Sequence, residues 1–156
     1  SDSYDTILKN NKDVVVDYVK NGGKYLGICM GAYWADKDYF DILDDVRVVQ
    51  YIKQPNTCTR RPHAKNMPTN WFNGHYEKMF FYDGPTFTGY GSYKTIAAYD
   101  TTGYPMAIKQ NNIMLIGCHP ESEQFWYDSY SWLKGKYHNG THHEILLDLI
   151  DEFLER

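Results

Sequence analysis

Cysteine is scarce in this chain: three residues, Cys29, Cys58 and Cys118, with no pair at C-x-x-C spacing. That set argues against both a disulfide framework and a zinc ribbon, and its odd count leaves at least one thiol free. Also lacking is any apolar run near the roughly 20 residues that a bilayer crossing requires, and the first residues do not show the charged-then-apolar pattern of a secretory leader. The chain therefore reads as a soluble, cytoplasmic protein with no membrane partner. Charge of one sign is not concentrated either. The net charge of −4 comes from interspersed acids and bases, with Arg60-Arg61 only a local basic pair, so nothing resembles the footprint of a nucleic-acid binder.

What is present in excess is aromatic: 15 Tyr, 7 Phe and 4 Trp. The tyrosines are spread through every segment, as compositional bias spreads them, while Phe125-Trp126-Tyr127 forms a local cluster suited to line a pocket. With 42% hydrophobic and 23% charged residues in 156 positions, the chain is expected to form a single domain, 1–156, around one core.

Apolar residues at Ile7, Leu8, Val14, Val15, Tyr18 and Val19 predict an amphipathic helix from Tyr4 to Lys20. Asn21-Gly22-Gly23 closes it, and Lys24 to Ile28 then begins a short buried strand. Further strands are predicted at Val46–Ile52, Lys78–Tyr82 and Thr95–Tyr99, followed by a hairpin pair at Met106–Lys109 and Ile113–Cys118. Asp83-Gly84-Pro85 reads as a turn, and the Pro- and Asn-rich span from Gln54 to Gly74 as a long irregular excursion. Helices are predicted at Gln124–Lys134 and His142–Leu154.

The chemistry concentrates at Gly27-Ile28-Cys29-Met30-Gly31, where a strand should turn sharply into a helix that continues with the small residues Ala32 and Ala35. A thiol attacks a carbonyl as thiolate, a state favoured by a helix N-terminus and by a neighbouring imidazolium. Gly27 and Gly31 are expected to be required sterically in so tight a turn, and the turn aims the Met30 N–H at a developing oxyanion. Far downstream, a second apolar strand runs into His119-Pro120-Glu121. His119 suits a general base and acid, with Glu121, two residues on in an extended segment, accepting from its far nitrogen. G-x-C-x-G alone is a weak motif, and a cysteine on a strand is more often structural. Its pairing with His-Pro-Glu, in the right order and context, shifts the balance towards a site.

Through Gly22–Tyr33 and Gly117–Glu121 the chain resembles the class I glutamine amidotransferase superfamily. Within it the chain is similar to the amino-terminal domain of biotin–protein ligase and its stand-alone relatives, through Phe81–Phe87, Ala97–Asp100 and Pro105–Ile108. The resemblance implies an α/β fold: a flavodoxin-like three-layer sandwich with a mostly parallel sheet. It implies Cys29, His119 and Glu121 as a catalytic triad and Gly27, Met30 and Gly31 as the elbow. Family members place a βαβ region and a Pro-Gly-Gly loop, source of a second oxyanion donor, before the helix that begins here near Tyr4. The chain is therefore expected to be an amino-terminally truncated piece. No biotinyl-adenylate loop is present, and Met30 stands where related elbow hydrolases carry histidine.

Tyr82, Asp83 and Gly84 lie near the expected sheet end, where they would orient a substrate or simply make a turn. His138, His142, His143 and Glu144 have metal-ligand residue types, but histidines beside a helix start are usually solvated, so neither a metal nor any other cofactor is expected. His63 and His75 lie in the irregular excursion, from which they could approach the pocket, although loop histidines more commonly face solvent, and they stay unassigned; Cys118 is expected as a buried strand residue pointing away from His119. The expected function is cysteine-dependent hydrolysis of a carboxamide or γ-glutamyl-type small molecule. Its rival is a catalytically silent binding or structural module that meets a partner protein in an oligomer or larger assembly.

Overall fold

A computed structural model describes residues 2–155. In chain order the elements are α1 (Asp2–Lys20), β1 (Tyr25–Ile28), α2 (Met30–Tyr33), β2 (Arg47–Gln50), a 3-10 turn (Tyr51–Lys53), β3 (Lys65–Trp71), β4 (Tyr76–Phe81), β5 (Pro85–Thr88), β6 (Lys94–Tyr99), β7 (Pro105–Gln110), β8 (Ile113–Ile116), α3 (Gln124–Asp128) and α4 (Thr141–Phe153). Helix α1 ends as its glycines predict. Gly22, at φ 91°, donates to Val19 O, and Gly23 donates to Tyr18 O, the paired bonds of a Schellman close. Of the expected apolar stripe, Val19 is buried and Val15 packs on the core, whereas Val14 and Tyr18 are exposed. Ile7 and Leu8 lie outside the described side chains.

Six strands form one sheet in the order β1-β8-β7-β6-β3-β4, and β2 pairs with β5 in a second, two-stranded sheet. The sheet corrects the expectation of a mostly parallel, flavodoxin-like arrangement: among the described residues only β1 and β8 pair in parallel, and every other pair is antiparallel. Connection length is the reason. Asn111-Asn112 alone joins β7 to β8 and four residues join β3 to β4, links too short for the crossover that parallel neighbours need. Val15 and Val19 of α1 pack with Ile113 and Leu115, while Ile145, Leu146 and Leu149 of α4 join the cluster that holds Ile116, Leu26 and Ile28. Successive strand residues point to opposite faces, so helices cover both.

Strand β3 corrects the expectation of an irregular excursion from Gln54 to Gly74. It is seven residues long, lies between β4 and β6, and buries Met67, Thr69 and Trp71 in alternation. Asn and Pro disguise it, since both are depleted in strands. Pro68 is accommodated because its carbonyl receives Asp100 N–H just beyond the paired residues of β6. The missing N–H faces that same side, and the ladder to β4 continues intact. Strand β5 was likewise hidden behind an expected turn, and the helix expected to reach Lys134 stops at Asp128.

Many tyrosines are structural. Tyr51, Tyr99 and Tyr127 are fully buried, Tyr51 stacks on Tyr99 at 3.8 Å between centroids, and each hydroxyl finds an acceptor or donor. A buried phenol is stable when its apolar ring fills the core and its oxygen is paired. No described helix is long and apolar enough to cross a membrane.

Candidate functional site

The one parallel strand pair among the described residues builds the candidate site. β1 and β8 run in register with Ile28 opposite Ile116, so both strands end at the same edge, one leading into Cys29 and the other into Gly117-Cys118-His119. Cys29 N–H donates to Ile116 O at 2.8 Å, carrying the ladder one residue past β1. The carboxyl ends of strands are where open α/β sheets bind ligands.

Cys29 sits at φ 53°, ψ −100°, a conformation that costs a side-chain-bearing residue on the order of 1–3 kcal/mol. Its carbonyl receives the N–H groups of Ala32 and Tyr33, both at 3.0 Å, which hold the bend closed. Gly27 is required here, because a Cβ on it would stand 2.5 Å from Gly31 O and 2.8 Å from Ala32 N. Gly31 is not: a Cβ there meets nothing within 4 Å, which corrects the expectation that both glycines are sterically required. The bend is asymmetric, and the Gly31 position faces open space while its carbonyl accepts the Tyr25 hydroxyl. Helix α2 is a single turn of four residues, so its dipole supports the site only locally. Met30 opens it, and the first N–H of a helix has no intrahelical acceptor.

His119 is fixed by its backbone N–H, which donates to Phe80 O at 2.8 Å. The segment after it is a turn and not the extended stretch expected: Ser122 N–H donates to His119 O at 3.2 Å. That turn folds Glu121 back so that His119 Nδ1–H donates to Glu121 Oε2 at 3.0 Å, and Nε2 is the ring nitrogen that the carboxylate leaves unengaged. Burial alone would depress the imidazole, but hydrogen bonds with Cys29 and Glu121, and their negative charges, overcome it and raise the pKa to about 9. Cys29 Sγ also lies 3.5 Å from Tyr82 O, a bond that its protonated form donates.

Cys29 and His119 open into one cavity of about 610 Å³. Its walls are largely rings: Tyr33, Phe80, Tyr82, Phe125, Trp126 and Tyr130. Trp126 and Phe80 meet the His119 ring edge to face at 5.2 and 5.9 Å. From the Phe125-Trp126-Tyr127 cluster the first two line the cavity, whereas Tyr127 is buried behind them with its hydroxyl on Ser122. Sequence reasoning did not single out Tyr33, Phe80 or Tyr130. The available signal was that Tyr33 and Phe80 each lie next to a motif, within five residues of Cys29 or Asp83.

Of the three residues at the β4–β5 turn, Tyr82 and Asp83 line the cavity and Gly84 does not. Asp83, at φ 50°, takes the Gln50 amide on both carboxylate oxygens at 3.1 Å, and its carbonyl accepts the Tyr33 hydroxyl at 2.8 Å. Burial first, then the charges of Asp83 and Cys29, hold the Tyr33 phenol above its ordinary range. Gly84 has a packing role: a Cβ on it would stand 2.0 Å from Gly117 O, so the two backbones touch there.

Cys118 is fully buried, and burial, followed by the charges of Cys29 and Glu121, pushes its thiol well above the usual range. His63 and His75 are exposed and do not line the cavity. The histidines near α4 are not solvated as expected. His138 stacks on His142 at 4.3 Å, both His138 and His143 donate to Ser122 O, and His142 pairs with Glu77 at 3.2 Å. Among the described residues no group of three or more His, Cys, Asp or Glu is arranged to hold a metal ion.

The family model described as "Biotin-protein ligase, N terminal" matches residues 3–49. The resemblance noted at Phe81–Phe87 and Ala97–Ile108 lies beyond that span. No curated protein matches the sequence. Among solved structures, the chain is similar to a glutamine amidotransferase at TM-score 0.54 and 19% identity, over 70% of this chain and 59% of that one. It is similar to a glutamine amidotransferase from Thermotoga maritima at TM-score 0.66 and 14% identity, over 96% of this chain and 70% of that one. The third is PurLQS from Thermotoga maritima, at TM-score 0.56 and 12% identity, over 89% and 68% of the two chains. The chain thus spans 59% of the first of these structures and 70% and 68% of the others. At such identities the likeness concerns fold: the chain has the fold of class I glutamine amidotransferases, and its first third carries the sequence pattern of the biotin–protein ligase amino-terminal family.

Proposed function

We propose that the protein is a cysteine-dependent amide hydrolase of the glutamine amidotransferase type, acting on a carboxamide or γ-glutamyl-type small molecule through Cys29, His119 and Glu121. One observation carries the reading: a cysteine held in a strained bend at a strand's end faces the same cavity as an imidazole whose far nitrogen is anchored on a carboxylate at 3.0 Å. Strain of this kind persists where the surrounding structure imposes it, and it collects at reactive centres.

In the proposed reaction Sγ attacks the carboxamide carbon, and the Met30 N–H stabilises the oxyanion. The C–N bond breaks, and the amine leaves with the proton of the His119 imidazolium. Water then attacks the thioester carbonyl and gives its proton to His119, which returns one to sulfur as the acid departs. Glu121 keeps the ring oriented and supports its charge. We place the protein in the cytoplasm, where the three unpaired cysteines would stay reduced.

The test is alkylation of folded protein by iodoacetamide and by a glutamine-analogue electrophile. Cys29 should react faster than the exposed Cys58; a Cys29 that labels only after unfolding would refute the reading. A second reading, a catalytically silent binding module within a larger assembly, is favoured by the single-turn α2 and by the exposed apolar rim of Met30, Tyr82 and Phe125. Amide turnover that vanishes on Cys29→Ala would rule it out.

A further inference from the structure

The proposed function leaves the non-reacting part of the substrate open, and the cavity walls bear on it. Resting on that reading, we infer that the substrate is an uncharged carboxamide carrying a flat aromatic group, and not a free amino acid amide.

Two observations point this way. The first is the wall chemistry: six rings surround the reactive pair, with Ile28 and Met30 adding apolar surface beside Cys29. Aromatic side chains favour other rings in offset or edge-to-face contact. Phe125 and Met30 are exposed by 67% and 53%, so apolar area at the mouth stays in water until an apolar ligand covers it.

The second is charge. A zwitterionic amino acid amide brings an α-carboxylate that needs a lysine, an arginine or a cluster of N–H donors when it leaves water. None of the residues lining the cavity is Lys or Arg. The one carboxylate in the lining, Asp83, would repel an incoming carboxylate and is already engaged by Gln50. His119 is the one basic side chain in the lining, and its Nδ1 is already engaged by Glu121. The volume of about 610 Å³ lies within the range that takes small organic ligands nearly whole, far more than a primary carboxamide alone would fill.

The experiment measures second-order alkylation of Cys29 in the folded chain by mass spectrometry, with Cys58 as internal reference. Three electrophiles are compared: iodoacetamide, N-benzyl chloroacetamide and a glutamine-analogue chloroketone. The benzyl reagent should label Cys29 in preference to Cys58 by at least tenfold more than the glutamine analogue does, and should saturate. In Phe125→Ala that advantage, taken relative to the iodoacetamide rate of the same variant, should fall roughly three- to tenfold, the range a lost aromatic contact gives. Equal or greater preference for the glutamine analogue would overturn the inference while leaving a reactive Cys29 in place. A Cys29 no faster than Cys58 with any of the three would instead overturn the proposed hydrolase.

Discussion

Replacing Glu121 by Gln should lower the pH at which His119 gives up its proton, and the structure sets the scale. The ring rises from an ordinary 6.5 to about 9, worth roughly 3 kcal/mol of preference for the charged form. Burial opposes that preference, so the hydrogen bonds and charges of Cys29 and Glu121 supply more than the net. Gln keeps an acceptor but removes the charge, which should cost ~1 pH unit or more. Cys29→Ala should lower the value independently. The folded value lies above the unfolded one, so the pair stabilises the protein fully below about pH 6.5, and that contribution fades as pH rises through about 9. The assay is an NMR titration of the imidazole in wild type, Glu121→Gln and Cys29→Ala, alongside denaturant unfolding at pH 6 and pH 9.5. A wild-type ring that titrates near 6.5, or one that Glu121→Gln leaves unmoved, would refute the reasoning.

Gly27→Ala should destabilise the fold by ~2–3 kcal/mol through collision with the Gly31 backbone, whereas Gly31→Ala should change stability by less than ~0.5 kcal/mol; chemical denaturation of the two variants measures the contrast. His138 behaves opposite to His119. Its Nδ1 accepts the N–H groups of Gly140 and His142 at the start of α4, and its Nε2–H donates to Ser122 O, so only the neutral ring fits. Burial first, then His142 and His143, lower its pKa; stability is therefore present above about pH 6.5 and lost as pH falls below it, and His138→Asn should flatten that acid limb in thermal melts. Asp36→Ala should cost ~2 kcal/mol by denaturation, since the buried carboxylate serves both Arg47 and the Val48 N–H.

The elbow and the histidine motif were legible because both are local: glycine spacing about Cys29 and the run Gly117-Cys118-His119-Pro120-Glu121 carry their own context. Their meeting depends on a parallel register between segments some ninety residues apart, which only the apolar character of each strand hinted at. The hairpin β7–β8 was readable from two apolar runs about a polar tip. Strand β3 was not, because Asn66, Pro68 and Asn70 give it a loop's composition while Met67, Thr69 and Trp71 do the burying. The sheet's direction was misjudged because the resemblance implied parallel strands where short connections enforce antiparallel ones. Part of the cavity wall escaped notice for another reason: a tyrosine lining the cavity and a tyrosine filling the core look alike until packing separates Tyr33 and Tyr130 from Tyr99 and Tyr127.

The bare contact between Gly84 and Gly117 gives the molecule a rigid seam. One loop carries the ring of Tyr82, the other carries the imidazole, and with no side chain between them neither can slide without pushing its neighbour. Pro85 O, gripped by the Tyr99 hydroxyl at 2.6 Å, pins the same crossing from below. Any lengthening of one loop in a descendant of this sequence would thus have to be matched in the other, so the wall of the chamber and its proton carrier would change in step.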